Sequence, residues 1–238
     1  MGLYVILMGV QGAGKGEQAK FIRETYNIPH VSTGDLFRAM KTREDDLARR
    51  VQQIMSEGRL VDDATTNEVV KDRLSQPDAA NGVIFDGYPR TPTQADWLEQ
   101  YLESKGERVN IVLLLQLDLY SAFKRAFGRV SHPDGSKSYN VYFNSDGVEW
   151  QFVDHPEKIF PPRLKAVETA TGTELVRRPD DGSAHAILTR IDTYVATTQP
   201  LIDYYRRKGL LREIDADQPI SAVSDALKAA IEAARAGF

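Results

Sequence analysis

An α/β fold, with a parallel sheet covered by helices on both faces, follows from three features of the 238-residue sequence. Short apolar runs at 3–8, 83–85 and 109–117 are bounded by turn residues, the pattern of strands buried on both faces. Between them lie stretches with apolar residues at helical spacing, and that alternation is what βαβ units require. The first run leads directly into Gly9-Val10-Gln11-Gly12-Ala13-Gly14-Lys15-Gly16 and then into a helix with Ala19, Ile22 and Tyr26 on one face.

That first junction is the most informative stretch. Glycines leave backbone N–H groups free to converge on an anion, and the helix N-terminus behind them carries a partial positive charge. With Lys15 this makes a phosphate-binding P-loop, although Gly16 stands where the strict pattern has Ser or Thr. A glycine-rich strand-to-helix turn with a surface lysine is the plainer alternative.

Composition narrows the rest. The formal charge of −4 and the lack of a basic run argue against a general nucleic-acid binder. With no cysteine there are no disulfides, zinc–thiolate sites or thiol nucleophiles. The N-terminal apolar stretch is too short for a signal h-region or a membrane span, so the chain is expected to be cytoplasmic, with no membrane partner.

Taken in order, Ser32 and Thr33 are capping residues for a helix that carries Arg38 one turn in. This is either a phosphate-facing helix start or ordinary capping with a solvated arginine. Leu47, Val51, Ile54 and Met55 mark the next helix, ending at Gly58, and another covers 64–74. The run 83–85 ends in Asp86-Gly87-Tyr88-Pro89-Arg90, which places Asp86 and Arg90 at the carboxyl end of a strand, where parallel sheets bind ligands. An acid there suits Mg²⁺, held directly or through water.

Pro92 opens a helix with Gln94 in its first turn, and 109–117 is expected to be the central strand. A helix from Tyr120 is expected to carry Arg125 and Arg129 on one face, with an anion between them. From His132 to about Pro179 aromatics and turn residues crowd together without helical period, predicting small antiparallel strands in an inserted flap. Tyr139, Tyr142, Phe143, Trp150, Phe152 and Phe160 are expected to form its core, and His132, Asp154 and His155 to be hydrogen-bonding surface residues. Arg177-Arg178 and Asp180-Asp181 close the flap. A long helical pattern then passes Ile187, Arg190 and Leu201, with Pro200 expected to break or kink it. The last elements are a strand at 210–214 and a C-terminal amphipathic helix.

Many arginines around one lysine and one acid, with no nucleophile–base pair, point to transfer between phosphates. An anionic acceptor needs no deprotonation; it needs charge neutralisation, alignment and exclusion of water.

At this level the chain closely resembles the adenylate kinases, of the long-lid bacterial type within the nucleoside monophosphate kinases. The motifs are GVQGAGKG at 9–16, STGDLFR at 32–38, GRLV at 58–61, FDGYPRTPTQA at 85–95, RAFGRV at 125–130 and TGTELVRRPDD at 171–181. The resemblance implies a P-loop NTPase-type core of 1–31, 62–128 and 182–238, an inserted helical AMP-binding segment at 32–61 and a small β lid at 129–181. It also implies Mg²⁺-dependent transfer between ATP and AMP to give two ADP, in a monomer.

On the ATP side it implies Gly12, Ala13, Gly14, Lys15, Gly16, Glu17, Arg125, Arg129, Ser138, Tyr139 and Gln218. On the AMP side it implies Thr33, Arg38, Arg59, Leu60, Val61, Gly87, Tyr88, Pro89, Arg90, Gln94, Arg178 and Arg190, with Gln94 reading adenine. Lys15, Arg90, Arg129, Arg178 and Arg190 are the implied catalytic cations, and Asp86 the Mg²⁺ partner. UMP, CMP or GMP as acceptor, a non-catalytic nucleotide-binding regulator and a small-molecule kinase are the competing readings. Two features depart from the family. Glu17 replaces its usual threonine and is expected to pair with an arginine or turn away, weakening ATP binding. The lid is also longer, the match lapsing over 147–170.

Overall fold

The computed structural model describes residues 2–236 apart from 57–60, 155–162 and 179–180, and for Met55 the backbone alone. Two units are distinguished: Met1–Gly9, Gly14–Gln116 and Ala196–Phe238 form one, Val10–Ala13 and Leu117–Val195 the other.

In the first unit β1 (Leu3–Gly9) leads to α1 (Lys15–Tyr26), β2 (His30–Ser32), α2 (Thr33–Met40), α3 (Asp46–Ser56) and α4 (Asp63–Leu74). β3 (Gly82–Asp86), α5 (Pro92–Glu103) and β4 (Ile111–Gln116) follow. After the second unit the chain returns through the later turns of α7 (Ala184–Arg207) to β10 (Leu211–Asp215) and α8 (Ile220–Ala236). The five strands form one parallel sheet in the order β10-β4-β1-β3-β2.

Side chains alternate across β1, so both of its faces need covering. Tyr4, Ile6 and Met8 share one core with Val83, Phe85, Val112 and Leu114, closed by Val70, Leu98, Leu102, Leu201 and Tyr205 from α4, α5 and α7. Val5 and Leu7 alternate with them, and α1 and α8 pack together on β3, β4 and β10. A polar pair buried between those helices is satisfied: Ser224 donates to the side-chain oxygen of Gln18 at 2.9 Å.

Two expectations are corrected here, and one strand is added. The centre of the sheet is β1; β4 lies one place from the β10 edge. The capping stretch is preceded by a strand, β2, whose three residues pair with β3 from His30 to Ser32. Its single buried residue, Val31, is too short a signal for a periodicity argument. Of the break or kink expected at Pro200, the break does not occur: α7 runs on to Arg207, although proline removes a helical hydrogen bond. Leu201 and Tyr205, both buried against the sheet, hold the helix beyond it.

The second unit contains α6 (Leu119–Phe127), β5 (Arg129–Ser131), β6 (Ser138–Asn140), β7 (Val148–Val153), β8 (Arg163–Glu168) and β9 (Glu174–Leu175), then the start of α7. β5 and β6 pair antiparallel, as do β7, β8 and β9 in that order. A bridge between Ser131 and Val176 joins the two small sheets. Of the stretch 147–170, where the family match lapses, the described residues mainly form the antiparallel pair β7 and β8, with Val148, Trp150 and Phe152 on one face of β7 and Glu149 and Gln151 on the other.

The small core here is mostly aliphatic: Val130, Val141, Val148, Leu164, Ala166 and Leu175 surround Tyr139. Tyr142, Phe143, Trp150 and Phe152 are exposed, contrary to the expectation that they fill it. The β8 partners of Phe152 and Trp150, Leu164 and Ala166, are the buried members of those cross-strand pairs. Trp150 sits edge-on to both Phe152 and Tyr142, whereas Trp97 in the first unit stacks flat on Tyr101 at 5.2 Å. Phe160 and His155 lie outside the described residues.

Glu168 ties the small sheets together. It accepts hydrogen bonds from Tyr139, from Thr171 at 2.7 Å and from Lys137 at 3.2 Å, and these hold its carboxyl down to about 2. His132 lies 3.2 Å from the same carboxylate and is largely buried, so it is not the surface residue expected.

Candidate functional site

The turn after β1 has the conformation its glycines allow. Gly12 has φ +87°, and a Cβ there would lie 2.7 Å from the Ala122 carbonyl oxygen, so only glycine fits. Gly14 is the left-handed N-cap of α1 and offers no side-chain cap, leaving the first-turn N–H groups without a competing side-chain acceptor. Lys15 donates to the carbonyl of Gly9 at 2.7 Å, folding its stem back along the turn. Gln11 donates to the Ile187 carbonyl at 2.7 Å. Glu17, in the first turn of α1, is exposed and makes no hydrogen bond or ion pair among the described residues.

Asp86 ends β3 and is largely buried. Burial pushes its carboxyl up, but the hydrogen bond with His30 at 3.3 Å and the charges of Lys15, His30 and Arg90 outweigh that and hold it below the usual range. Next to it Thr33 donates to the Gly87 carbonyl at 3.0 Å, and the Arg90 Nε donates to the same oxygen at 2.9 Å. Gly87 has φ +74°, and a Cβ there would lie 3.1 Å from the Thr33 hydroxyl. Thus Lys15, Thr33, Asp86, Gly87 and Arg90 form one neighbourhood in the first unit.

The other expected residues of the first unit have contacts of their own. Ser32 caps α2 as expected, accepting from the Asp35 N–H at 3.4 Å. Arg38 pairs with Asp35 and is exposed. Val61 packs on Met40, Ala48, Val51 and Val69. Tyr88 and Pro89 are buried, and Tyr88 donates to Asn67 at 2.7 Å. Gln94 is buried in the first turn of α5. Gln218 is exposed and donates to Asp215 at 3.0 Å. Arg59 and Leu60 lie outside the described residues.

In the second unit α6 ends at Phe127, so Arg125 and Arg129 do not share a helix face as expected; Gly128 caps the helix and Arg129 begins β5. What gathers the cations is Asp181, which is fully buried. One of its oxygens accepts from Arg129 Nε at 2.8 Å and Nη2 at 2.5 Å, the other from Arg190 Nη1 at 3.0 Å. Arg125 lies 5.5 Å from the exposed Phe143 ring. Arg178 is exposed, while Arg177 beside it is half-buried, donating to the Phe127 carbonyl at 2.9 Å over that residue's ring. Ser138 contacts Ser131 at 2.8 Å, and the Tyr139 hydroxyl is engaged by Glu168.

The family model for adenylate kinase matches residues 7–210 of this chain. The chain belongs to the adenylate kinase family. Among adenylate kinase relatives, one from Clostridium kluyveri is 36% identical over 96% of this chain and 98% of its own length. One from Moorella thermoacetica is 39% identical over 92% and 93%, and one from Methanocella arvoryzae 37% identical over 95% and 97%. Within this adenylate kinase chain the sequence reading missed three residues that hold the expected site in place: His30, Asp63 and Asp181. Asp181 had a sequence signal, an acidic pair beside Arg177-Arg178. Its partner Arg129 lies 52 positions away, a separation that local patterns do not encode.

Proposed function

We propose that this protein catalyses reversible phosphoryl transfer between ATP and AMP, yielding two ADP, with Mg²⁺ accompanying the nucleotide. One observation carries the reading: in a chain of this family, the P-loop lysine, the buried carboxylate Asp86 and the cation Arg90 are electrostatically linked at the carboxyl ends of parallel strands.

Gly12, Ala13, Gly14, Lys15 and Gly16 are assigned to the ATP phosphates. Thr33, Arg38, Arg90 and Gln94 are assigned to AMP, with Val61, Gly87, Tyr88 and Pro89 shaping its pocket and Arg59 and Leu60 added by resemblance. Arg129, Arg178 and Arg190 are assigned to the charge of the transferred group, and Arg125 to the ATP base, for which the Phe143 ring beside it adds a flat partner. Ser138, Tyr139 and Gln218 contribute to that side through their backbones, since Tyr139 and Gln218 already engage their side chains elsewhere. Residues 32–61 are the AMP-binding segment and 129–181 the lid on the core.

Asp86 fits a hard divalent cation held through water: one largely buried carboxylate, kept charged by its cationic neighbours, without a dedicated cage among the described residues. When bound, Mg²⁺ spreads the negative charge of the nucleotide phosphates. The chain's own contribution is to fix the acceptor anion and donor phosphate in line and to neutralise charge as it moves between oxygens. No side chain has to take a proton.

We further assign the protein to the cytoplasm as a monomer; no helix of the described residues is long and apolar enough to cross a membrane. The test is an acceptor panel of AMP, UMP, CMP and GMP with Mg·ATP. ADP formed in a 2:1 ratio to AMP consumed, lost in Arg90→Ala and Arg129→Ala, supports the reading. Preferred turnover of another acceptor, or none, overturns it.

A further inference from the structure

The buried amide of Gln94 is held at both ends by groups of fixed polarity. Its side-chain nitrogen donates to Asp63 Oδ1 at 2.7 Å, and its side-chain oxygen accepts from the backbone N–H of Arg90 at 2.8 Å. A carboxylate only accepts and a backbone N–H only donates, so turning the amide over would set oxygen against oxygen and donor against donor. Asp63 is itself fixed: its second oxygen accepts from the Thr91 hydroxyl at 2.8 Å, and that hydroxyl caps α5 by accepting from the Gln94 N–H at 3.1 Å. Behind the amide, the Tyr88 hydroxyl faces the Gln94 backbone carbonyl at 3.4 Å and donates to Asn67 at 2.7 Å.

Each amide end keeps one hydrogen-bonding position: the nitrogen its second N–H, the oxygen its second lone pair. A base whose edge offers an acceptor beside a donor, as adenine does with N1 and the 6-amino group, matches that pair. Hypoxanthine has the same outline with both polarities reversed, an N1–H beside a 6-oxo group, and meets it donor to donor. We infer that Asp63 is a positioning residue that sets the acceptor-base preference by fixing which way round the Gln94 amide stands. Asp63 does not touch the base; it acts through Gln94. The inference rests on the proposed AMP reading for its substrate, while the locked amide is a property of the free protein.

The experiment compares kcat/KM for AMP and IMP with Mg·ATP in the wild type, Asp63→Ala and Asp63→Leu, the last keeping the forked side-chain shape without an acceptor in case the alanine variant folds poorly. The preference for AMP over IMP is expected to shrink tenfold or more in both variants, chiefly through a higher KM for AMP, with kcat changed by no more than a few-fold. A merely structural role would lower kcat/KM for both acceptors by the same factor, and that result overturns the inference. In the nucleotide-free protein, the Gln94 side-chain amide protons, assigned by their loss in Gln94→Leu, should be slow to exchange with solvent and speed up at least tenfold in either Asp63 variant. Equal exchange in wild type and variants overturns the lock. Slow exchange in a wild type that phosphorylates no AMP overturns the substrate reading and leaves the lock standing.

Discussion

Asp181→Asn is the sharpest perturbation of the second unit. The carboxylate is fully buried and both of its oxygens are used, one by two nitrogens of Arg129 and the other by Arg190. Asparagine keeps the shape but replaces one accepting oxygen with a donating NH₂ group, set against a guanidinium. Breaking a fully buried ion pair costs about 3–5 kcal/mol. Here the Arg129 and Arg190 side chains are 22% and 35% exposed, so water recovers part of the loss and about 2–3 kcal/mol is expected. For a chain of this size each kcal/mol moves Tm by about 2–4 °C, which gives a drop of about 4–12 °C. The freed guanidiniums also lose their placement, and misplaced charge of this kind costs on the order of a hundredfold in rate. Thermal unfolding followed by circular dichroism, with a coupled assay of ADP formation, reads both effects. A variant that melts within 1 °C of the wild type and turns over at its rate would refute the view that Asp181 gathers these arginines.

Two further predictions concern single carboxylates. Glu17 is exposed, so its repulsion of a phosphate about 4 Å away is worth about 1 kcal/mol per unit charge in a water-like medium, not the several kcal/mol of a buried pair. Glu17→Thr should therefore lower the KM for ATP about fivefold, leave the KM for AMP alone, and lose its advantage in high salt; an unchanged or raised KM for ATP counts against this. Glu168 is held down to about 2 against an ordinary value of 4.5, so its stabilisation of the small sheets is complete above about pH 4.5 and is lost as pH falls toward 2. Hydrogen exchange of β6 and β8 should accelerate across that window in the wild type and stay flat in Glu168→Gln; identical pH profiles would remove Glu168 from the account.

Much of the fold was legible because its signals are local. β1, β3 and β4 are apolar runs, and the P-loop spells out its glycines in one stretch. What escaped depends on distant partners. β2 exists because His30, Val31 and Ser32 find β3, more than fifty positions later. α7 passes Pro200 because Leu201 and Tyr205 are buried, a gain invisible to a residue-by-residue propensity. Arg125 and Arg129 are four apart, yet Gly128 ends the helix between them. In the candidate site the arginines and Gln94 stood out by type, whereas Asp63, His30 and Asp181 did not. An acid at the start of a helix reads as a dipole partner, and only the fold shows that it grips a glutamine 31 positions on.

The placement of the two tryptophans has a practical consequence. Trp97, flat against Tyr101, belongs to one unit, and Trp150, edge-on to Phe152 and Tyr142, to the other. Each unit thus carries its own intrinsic fluorophore. Replacing either indole by phenylalanine leaves a single-colour reporter of the unit that keeps one, so loosening of the small sheets and melting of the parallel sheet can be timed separately without attaching a dye.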